Sequence, residues 1–508
     1  MNLTIGPKLE QYNKQKQPQF KGVLDGAITN TLRVLDTNEM INAVVLDVGP
    51  MSLPRAGYDW THRNKYAGME TLAREIQGTF INCLSAGIFA GIISKLATKY
   101  IDPNTKINPN SWFSENSLKT LETAWNNTQD LDKFTETVFN NISGIDGKEV
   151  KNFDKINWQK VEWIDKDSWE KIKWDNQNYK AIPDETKTKD GIINTMRKII
   201  KDKDITKKDR GNILRIMNTR ITNALGAERQ TSLTIGNNTV TDKLENILRD
   251  TYDIGKDVFT NNNINKTNTL NKIRRINNLK IAGALSIACA LGITNQYINR
   301  KITEKRTGKK GFVGDVDYTS NNHQNKKEKY LPLKKAVASI GMAAMVLGVM
   351  KVKNWKDFVK KLEFTGPVTS GNAIKTVYGF NIIGRFIAAD NSTELRESVT
   401  RDYLGFLNWL VLGGFAAKGV GNLLDKKGEN LFNYTKEGKG IKHWLNDISL
   451  KTHTEIASKG TNFAKKNIWK LNLAHACGIT YSAVTLGLLL PMLNDKVTKY
   501  KAKKANLC

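Results

Sequence analysis

No CxxC pair, HExxH motif, GxSxG elbow or GxxxxGK(S/T) loop occurs in this sequence, so zinc clusters, zincin chemistry, α/β-hydrolase catalysis and P-loop nucleotide binding have nothing to rest on. Cysteine and histidine are scarce, at 4 and 5 residues in 508. Cys83, Cys289 and Cys477 each lie inside an apolar stretch, where a free thiol acts as a small hydrophobe, and Cys508 is the last residue and makes no CaaX site. His62, His323, His443, His453 and His475 form no tight ligand pair, so neither a disulfide framework nor a metal or other cofactor is expected. In RTGKKGFVGDVDY, Gly308, Gly311 and Gly314 miss the phosphate-loop spacing, and no hydrophobic strand precedes them. Asp315, Asp317 and Thr319 imitate the start of a calcium loop, but its twelfth position is Lys326 where a glutamate is needed. The opening MNLTIGPKLEQYNKQKQPQFKG has no apolar core, so no cleavable secretory signal is expected.

Acidic residues are also short relative to basic ones, and the formal net charge of +28 asks for an anionic partner, either phospholipid headgroups or nucleic acid. Charge alone does not choose between them. The average composition, 40% hydrophobic, resembles that of a soluble protein, but the apolar residues are segregated into charge-free runs between Lys- and Asn-rich regions.

The longest run is 471–494, LNLAHACGITYSAVTLGLLLPMLN, enough at about 1.5 Å per residue to cross a bilayer core of roughly 30 Å. Runs at 281–299 and 76–94 are nearly as long, whereas 336–350 and 403–417 are shorter and rely on flanking lysines to extend them. A sixth segment, 377–389, contains Arg385, which a lone lipid-facing helix would not accommodate. Small residues recur at four-residue spacing, as in Gly87 and Gly91 or Gly413, Ala417 and Gly421, a pattern that lets helix backbones approach closely in lipid.

These features predict a mainly α-helical, multi-span membrane bundle with a soluble helical insertion; the alternative is a soluble all-α bundle with uniformly apolar core helices. The expected organisation is a polar N-terminal region with an irregular loop (1–75), a first apolar helix (76–97), a soluble helical insertion (98–280), a membrane region (281–494) with helices near 281–299, 336–350, 377–389, 403–424 and 471–494, and a basic tail (495–508). The connection after the second run (KITEKRTGKKGFVGD, NKKEKY) and the tail KVTKYKAKKANLC are both densely basic. They share the cytoplasmic face only if an even number of crossings separates them, which requires the Arg385 segment to span. The loops around 351–361 and 418–470 are Lys-rich too, so the positive-inside rule is only partly obeyed.

Two of the runs end alike. Leu291-Gly292-Ile293 followed by Asn299-Arg300-Lys301-Ile302-Thr303 has the spacing of Leu486-Gly487-Leu488 followed by Asn494-Asp495-Lys496-Val497-Thr498, as a duplicated unit would. Within the insertion, Ser114 or Asn116 is placed to cap one helix and Asp204 or Thr206 another, and SLTIGNNTVT reads as a hairpin turning at Gly236-Asn237-Asn238. Trp158, Trp163, Trp169 and Trp174 alternate with lysines, a pattern that suits a small core, a headgroup belt or stacking on single-stranded nucleic acid.

The densest set of reactive side chains is Asp47, Arg55, Asp59, His62 and Arg63 around Pro50 and Pro54, which reads as an irregular loop and is where a site is sought. No catalytic role follows from it, and enzyme activity is not expected. The expected function is that of an integral membrane protein, scaffold or transport-like. Its basic residues Lys301, Lys309, Lys310, Lys496 and Lys499 would lie at the phosphates of anionic phospholipids, and self-association into a homo-oligomer is left open. The competing expectation is a soluble or peripheral basic protein binding nucleic acid or a protein partner.

Overall fold

The computed structural model describes residues 23–505 except 38, 98–99, 101–103, 105–106, 108–112, 146–147, 150–171, 226–232, 236–237, 241–243, 311–327, 365–369, 429, 435–437, 439, 447 and 458–460. The chain is mainly helical. In order, its principal helices are α1 (39–62), α2 (Lys65–Ala97), α3 (Glu115–Thr128), α4 (Leu131–Asn140), α5 (Lys189–Lys201), α6 (Lys207–Leu225), α7 (Leu244–Ile254), α8 (Lys266–Thr307), α9 (Leu331–Val349), α10 (Gly371–Ala388), α11 (392–424) and α12 (461–505). Two small antiparallel sheets accompany them. One contains β1 (Ile142–Ile145), β2 (Lys148–Glu149), β3 (Leu233–Ile235) and β4 (Asn238–Val240) in the order β2-β1-β3-β4, and the other pairs β5 (Phe432–Tyr434) with β6 (Ile448–Leu450).

The chain divides into two compact units. Unit 1 comprises Met1–Arg33, Thr98–Arg275 and Glu429–Leu471. In its core Ile192, Met196 and Ile199 of α5, Ile213, Ile216 and Met217 of α6, and Ile247 and Leu248 of α7 are buried together, while Lys198, Lys201, Lys207 and Lys208 are exposed on the outer faces. Ser114 caps α3 by accepting from Ser117 N at 3.0 Å, and Thr206 accepts from Asp209 N at 3.1 Å at the start of α6, both as the sequence suggests. The expected hairpin forms as β3 and β4, with Ile235 opposite Asn238, so Asn238 belongs to the second strand. Trp174 is half-buried against the core, and Trp158, Trp163 and Trp169 lie outside the described residues. Two boundaries differ from expectation: the insertion ends within α8, at Arg275, and 429–471 groups with unit 1 although the sequence pattern predicts it in the membrane region.

Unit 2 comprises Val34–Ala97, Ile276–Gly428 and Asn472–Cys508. Among the described residues, four helices, Lys65–Ala97, Lys266–Thr307, Leu331–Val349 and Asn462–Tyr500, are long and apolar enough to cross a membrane. They contain the runs 76–94, 281–299 and 471–494, and 336–350 up to its last residue. The run at 403–417 is the C-terminal part of α11, whose first turns carry Glu394, Glu397, Arg401 and Asp402.

The region from 44 to 75 is helical, which corrects the expected irregular loop. Pro50 lies inside a π-helical stretch, Asp47–Ser52, and Pro54 just after it, at the start of the α-helical Leu53–His62. Widening the helix by one residue lets the chain pass Pro50 without ending it. Asn64 then caps α2, accepting from Ala67 N at 2.8 Å.

The second half of unit 2 repeats the first. Lys65–Phe80, the π-helical Ile81–Ser85 and Ala86–Ala97 are 16, 5 and 12 residues long. Ser392–Leu407, the π-helical Asn408–Leu412 and Gly413–Leu424 have the same lengths, 16, 5 and 12, in the same order. Asn391 caps α11 as Asn64 caps α2, accepting from Glu394 N at 2.8 Å. In this register Glu70, Arg74, Glu75, Gly78 and Ala90 correspond to Glu397, Arg401, Asp402, Gly405 and Ala417. The similarity between 281–306 and 476–501 extends the match to α8 and α12. Each half is therefore a helix, a helix with a central π-helical turn, an interposed segment belonging to unit 1, and a long third helix.

Candidate functional site

The polar residues of unit 2 point inward. Arg385, which a lone lipid-facing helix would not tolerate, is 2% exposed and held between two carboxylates, one from each half. Its Nη1 donates to Asp402 Oδ1 at 2.9 Å and its Nη2 to Glu75 Oε2 at 3.2 Å. Glu75 and Asp402 occupy corresponding positions, and each is also bonded by the arginine that precedes it. Arg74 Nη2 reaches Glu75 Oε1 at 3.1 Å, and Arg401 Nε reaches Asp402 Oδ1 at 3.0 Å. Repeated Arg-acid pairs from α2 and α11 thus converge on one guanidinium of α10.

Two of the residues singled out from the sequence join this centre. Arg55 Nη1 lies 3.8 Å from Glu75 Oε1, while its Nε donates to the carbonyl of Leu486 at 2.9 Å in the π-helical stretch Ala483–Leu489 of α12. π-Helical geometry leaves such carbonyls without their usual intrahelical donor, and here an arginine supplies one. Asp47 accepts from Thr79 Oγ1 at 2.5 Å. Beside the charges runs a line of amides: Asn295 donates to Asn381 at 3.4 Å and Asn381 to Asn82 at 3.2 Å.

Asp59 and Arg63 lie in a second network at the joint between α1 and α2. Arg63 bonds Glu397 at 2.7 Å and faces Asp59 at 3.3 Å and Asp495 at 3.7 Å. His62 stays outside both networks; it is exposed, stacked on Tyr58 with ring centroids 4.2 Å apart. The five residues therefore split into two buried groups and one surface histidine.

The third helices cross between halves, and they do so reciprocally. Gly292 of α8 lies against Asn381 of α10, where an added Cβ would sit 3.1 Å from its backbone N. Gly487, its counterpart in α12, lies against α1, where an added Cβ would sit 2.5 Å from Pro50 O and 3.0 Å from Pro54 Cβ. Further along, Arg300 of α8 pairs with Asp390 at 2.7 Å, at the α10–α11 joint. Its counterpart Asp495 faces Arg63, at the α1–α2 joint, so the same contact is made with the charges exchanged. This reciprocity is that of a two-fold arrangement. Glu75 and Asp402 meet at Arg385 while Arg63, just before α2, bonds Glu397 near the start of α11, which requires α2 and α11 to run in the same direction.

The small residues of α11 and α2 sit in different surroundings. An added Cβ on Gly413 would meet Ser482 Oγ, and Gly478 faces Ala417 Cβ at 3.0 Å; Gly421 is buried. In α2 the buried face is Cys83, Ala86, Ala90, Ser94 and Ala97, and a Cβ on Gly91 would meet open space. The expected Gly87/Gly91 face is thus displaced by one position, because the π-helical turn at Ile81–Ser85 rotates the C-terminal part of the helix. No protein-family profile matches this chain, and neither a curated protein nor a solved structure shows significant similarity to it.

The expected lipid-contacting lysines end the third helices or lie just beyond them. Lys301 and Lys496 are exposed one turn beyond the apolar parts of α8 and α12, with Lys301 paired to Glu304 at 2.9 Å. Lys499 is exposed and pairs with Asp495 at 2.7 Å, and Lys310 is exposed. Among the described residues no group of three or more His, Cys, Asp or Glu is arranged to hold a metal ion. Sequence reasoning missed Glu75, Arg74, Arg401 and Asp402. Their signal was the recurrence of an Arg-acid pair with glycine three residues after the acid, at Arg74-Glu75 with Gly78 and Arg401-Asp402 with Gly405.

Proposed function

We propose that this chain is a multi-pass membrane protein whose unit 2 is a transport-like bundle of two parallel repeats, handling a small ionic solute near the Glu75–Arg385–Asp402 centre. The observation that carries this reading is the inversion of polarity in unit 2. Glu75, Arg385, Asp402, Asn82 and Asn381 are buried in it, whereas Ile88, Ile92 and Leu96 of α2 are 48%, 49% and 70% exposed and Leu333, Val337 and Ile340 of α9 are 64%, 61% and 69% exposed. Such contiguous apolar faces are unfavourable in water and natural in hydrocarbon, and they disfavour the soluble alternative. Buried ionisable groups at bilayer depth, broken helices and repeated halves together are the usual marks of a solute pathway.

Under this reading α1, α2, α8, α9, α10, α11 and α12 each cross once. Arg385 is neutralised within the bundle, so α10 is free to span. Four crossings then separate the basic connection after α8 from the basic tail, and both lie on the cytoplasmic face with Lys301, Lys309, Lys310, Lys496 and Lys499 at anionic headgroups. The test is fractionation of the expressed protein. Retention in membranes through high salt and carbonate until detergent is added supports the reading, and release by salt or alkali overturns it. Flux of small ions into proteoliposomes, compared between the wild type and Arg385→Met, then distinguishes transport from a purely structural scaffold.

A further inference from the structure

Unlike Glu75 and Asp402, Asp47 has no arginine bonded to it. It is 3% exposed, its Oδ2 meets Thr79 Oγ1 at 2.5 Å, and its Oδ1 has no hydrogen-bond partner among the described residues. The guanidiniums that act on it are engaged elsewhere. Arg55 donates to the Leu486 carbonyl and lies beside Glu75, and Arg385 is forked between Glu75 and Asp402. Asp47 also heads the π-helical stretch of α1, where its carbonyl accepts from Ser52 Oγ at 2.7 Å.

Thr79 has one hydroxyl proton and two oxygens within reach, Asp47 Oδ2 and the Glu75 carbonyl at 3.0 Å. An ionised Asp47 takes that proton. A protonated Asp47 instead donates to Thr79 Oγ1, and the hydroxyl turns to the Glu75 carbonyl, so either charge state finds its bond. Neither component recurs in the second half. Phe406 occupies the position corresponding to Thr79, and α10, the counterpart of α1, has no acid over Gly371–Ala388. The pair is a departure from the repeat rather than a by-product of it.

The surroundings of the Asp47 carboxyl pull in opposite directions. Burial without an ion pair and the charge of Glu75 favour its neutral form, whereas the charges of Arg55 and Arg385 favour the ionised one. The thiol of Cys83 on α2 and the phenol of Tyr378 on α10 also face it, and the stretch of α12 packed on it, Ala483–Leu489, has no ionisable side chain. We propose that Asp47 is a proton-exchange site, whose carboxyl takes up a proton from water on Oδ2 and releases it again while the Thr79 hydroxyl turns to serve both forms. Under the transport reading this proton is the coupling ion. That role rests on the reading; the exchange itself does not.

Infrared difference spectra of the detergent-purified full chain would be recorded between about pH 9 and about pH 5. An Asp250→Asn background removes the carboxyl of unit 1 that burial pushes up to about 7. A protonated-carboxyl stretching band is expected to grow on acidification and to be missing when Asp47→Asn is added. In Thr79→Val the same band should appear about one pH unit higher, because the hydroxyl bond to the charged form is the stronger of the two it makes. Should Asp47→Asn not fold, Thr79→Val decides, and an unmoved midpoint overturns the proposal. So does a band that keeps its full height in Asp47→Asn, which belongs to another carboxyl, or a band already complete at about pH 9, which marks a proton never released. The titration involves no flux, so a failure of ion transport in proteoliposomes refutes the transport reading alone.

Discussion

Arg385→Met is the most informative single change, because it leaves an apolar stem in place and removes the bonds to both carboxylates, of which the one to Glu75 joins the two halves. The variant loses the donors to Asp402 Oδ1 at 2.9 Å and Glu75 Oε2 at 3.2 Å. Each charge-assisted bond contributes about 1.5–3 kcal/mol, so the pair is worth about 3–6 kcal/mol; breaking a buried ion pair from one side costs about 3–5 kcal/mol. Arg74 and Arg401 still hold the carboxylates, which places the expected loss near the lower end, about 3 kcal/mol. For a helical unit of this size that corresponds to a fall in Tm of roughly 10 °C, read by circular dichroism on the detergent-purified chain. Arg385→Lys provides the control. Its single ammonium keeps the charge but lacks the fork needed to bond both acids at once, so about half the loss is expected. The reasoning fails if Arg385→Met lies within about 1 kcal/mol of wild type, or if the lysine variant is no better than methionine.

Other contacts give three further expected outcomes. Gly487→Ala forces a Cβ to 2.5 Å from Pro50 O, a backbone atom that cannot yield, and should destabilise the chain severely, whereas Gly91→Ala meets open space and should be neutral or stabilise by up to about 1 kcal/mol through helix propensity; paired melts decide it. Arg63→Asp and Asp495→Arg should each destabilise, while the double exchange, which copies the polarity found at Arg300 and Asp390, should recover part of the loss in a double-mutant cycle. In unit 1, burial pushes the Asp250 carboxyl up from 3.8 to about 7, against the opposing effect of Arg249. The folded state then keeps a proton that the unfolded chain has shed. The contribution of this group to stability is accordingly greatest below about pH 4 and is lost as pH rises through about 7. Hydrogen exchange of the α7 amides, corrected for intrinsic rates, should show that decline, and Asp250→Asn should flatten it.

The helical class and the apolar runs were legible because hydrophobic periodicity and run length act locally, residue by residue. Arg385 shows where that stops. From the sequence it was an obstacle to spanning, and its partners, Glu75 and Asp402, are brought to it by other helices. The Asp47 to Arg63 region has the sequence of a loop, since Pro50 and Pro54 normally break helices and nothing local announces a π-helical turn that absorbs one of them. Of the duplication, only the ends of α8 and α12 were visible. The stronger correspondence, between α2 and α11, is hard to see although their apolar runs begin at corresponding positions, 76 and 403, because the shared residues Glu70/Glu397, Arg74/Arg401 and Gly78/Gly405 are sparse and fall on inward positions. What the repeats preserve is the interior, and composition mostly reports the exterior.

Synthesis delivers α1 well before α12, yet Leu486 and Leu490 of α12 form a buried cluster with Met51 of α1, and the Leu486 carbonyl is the acceptor for Arg55. Arg55 therefore waits for that acceptor while the 431 positions that separate the two residues are made. Until α12 arrives, unit 2 also lacks Asp495, one of the acids that face Arg63, so the closing of its core is timed by its most distant contacts in sequence.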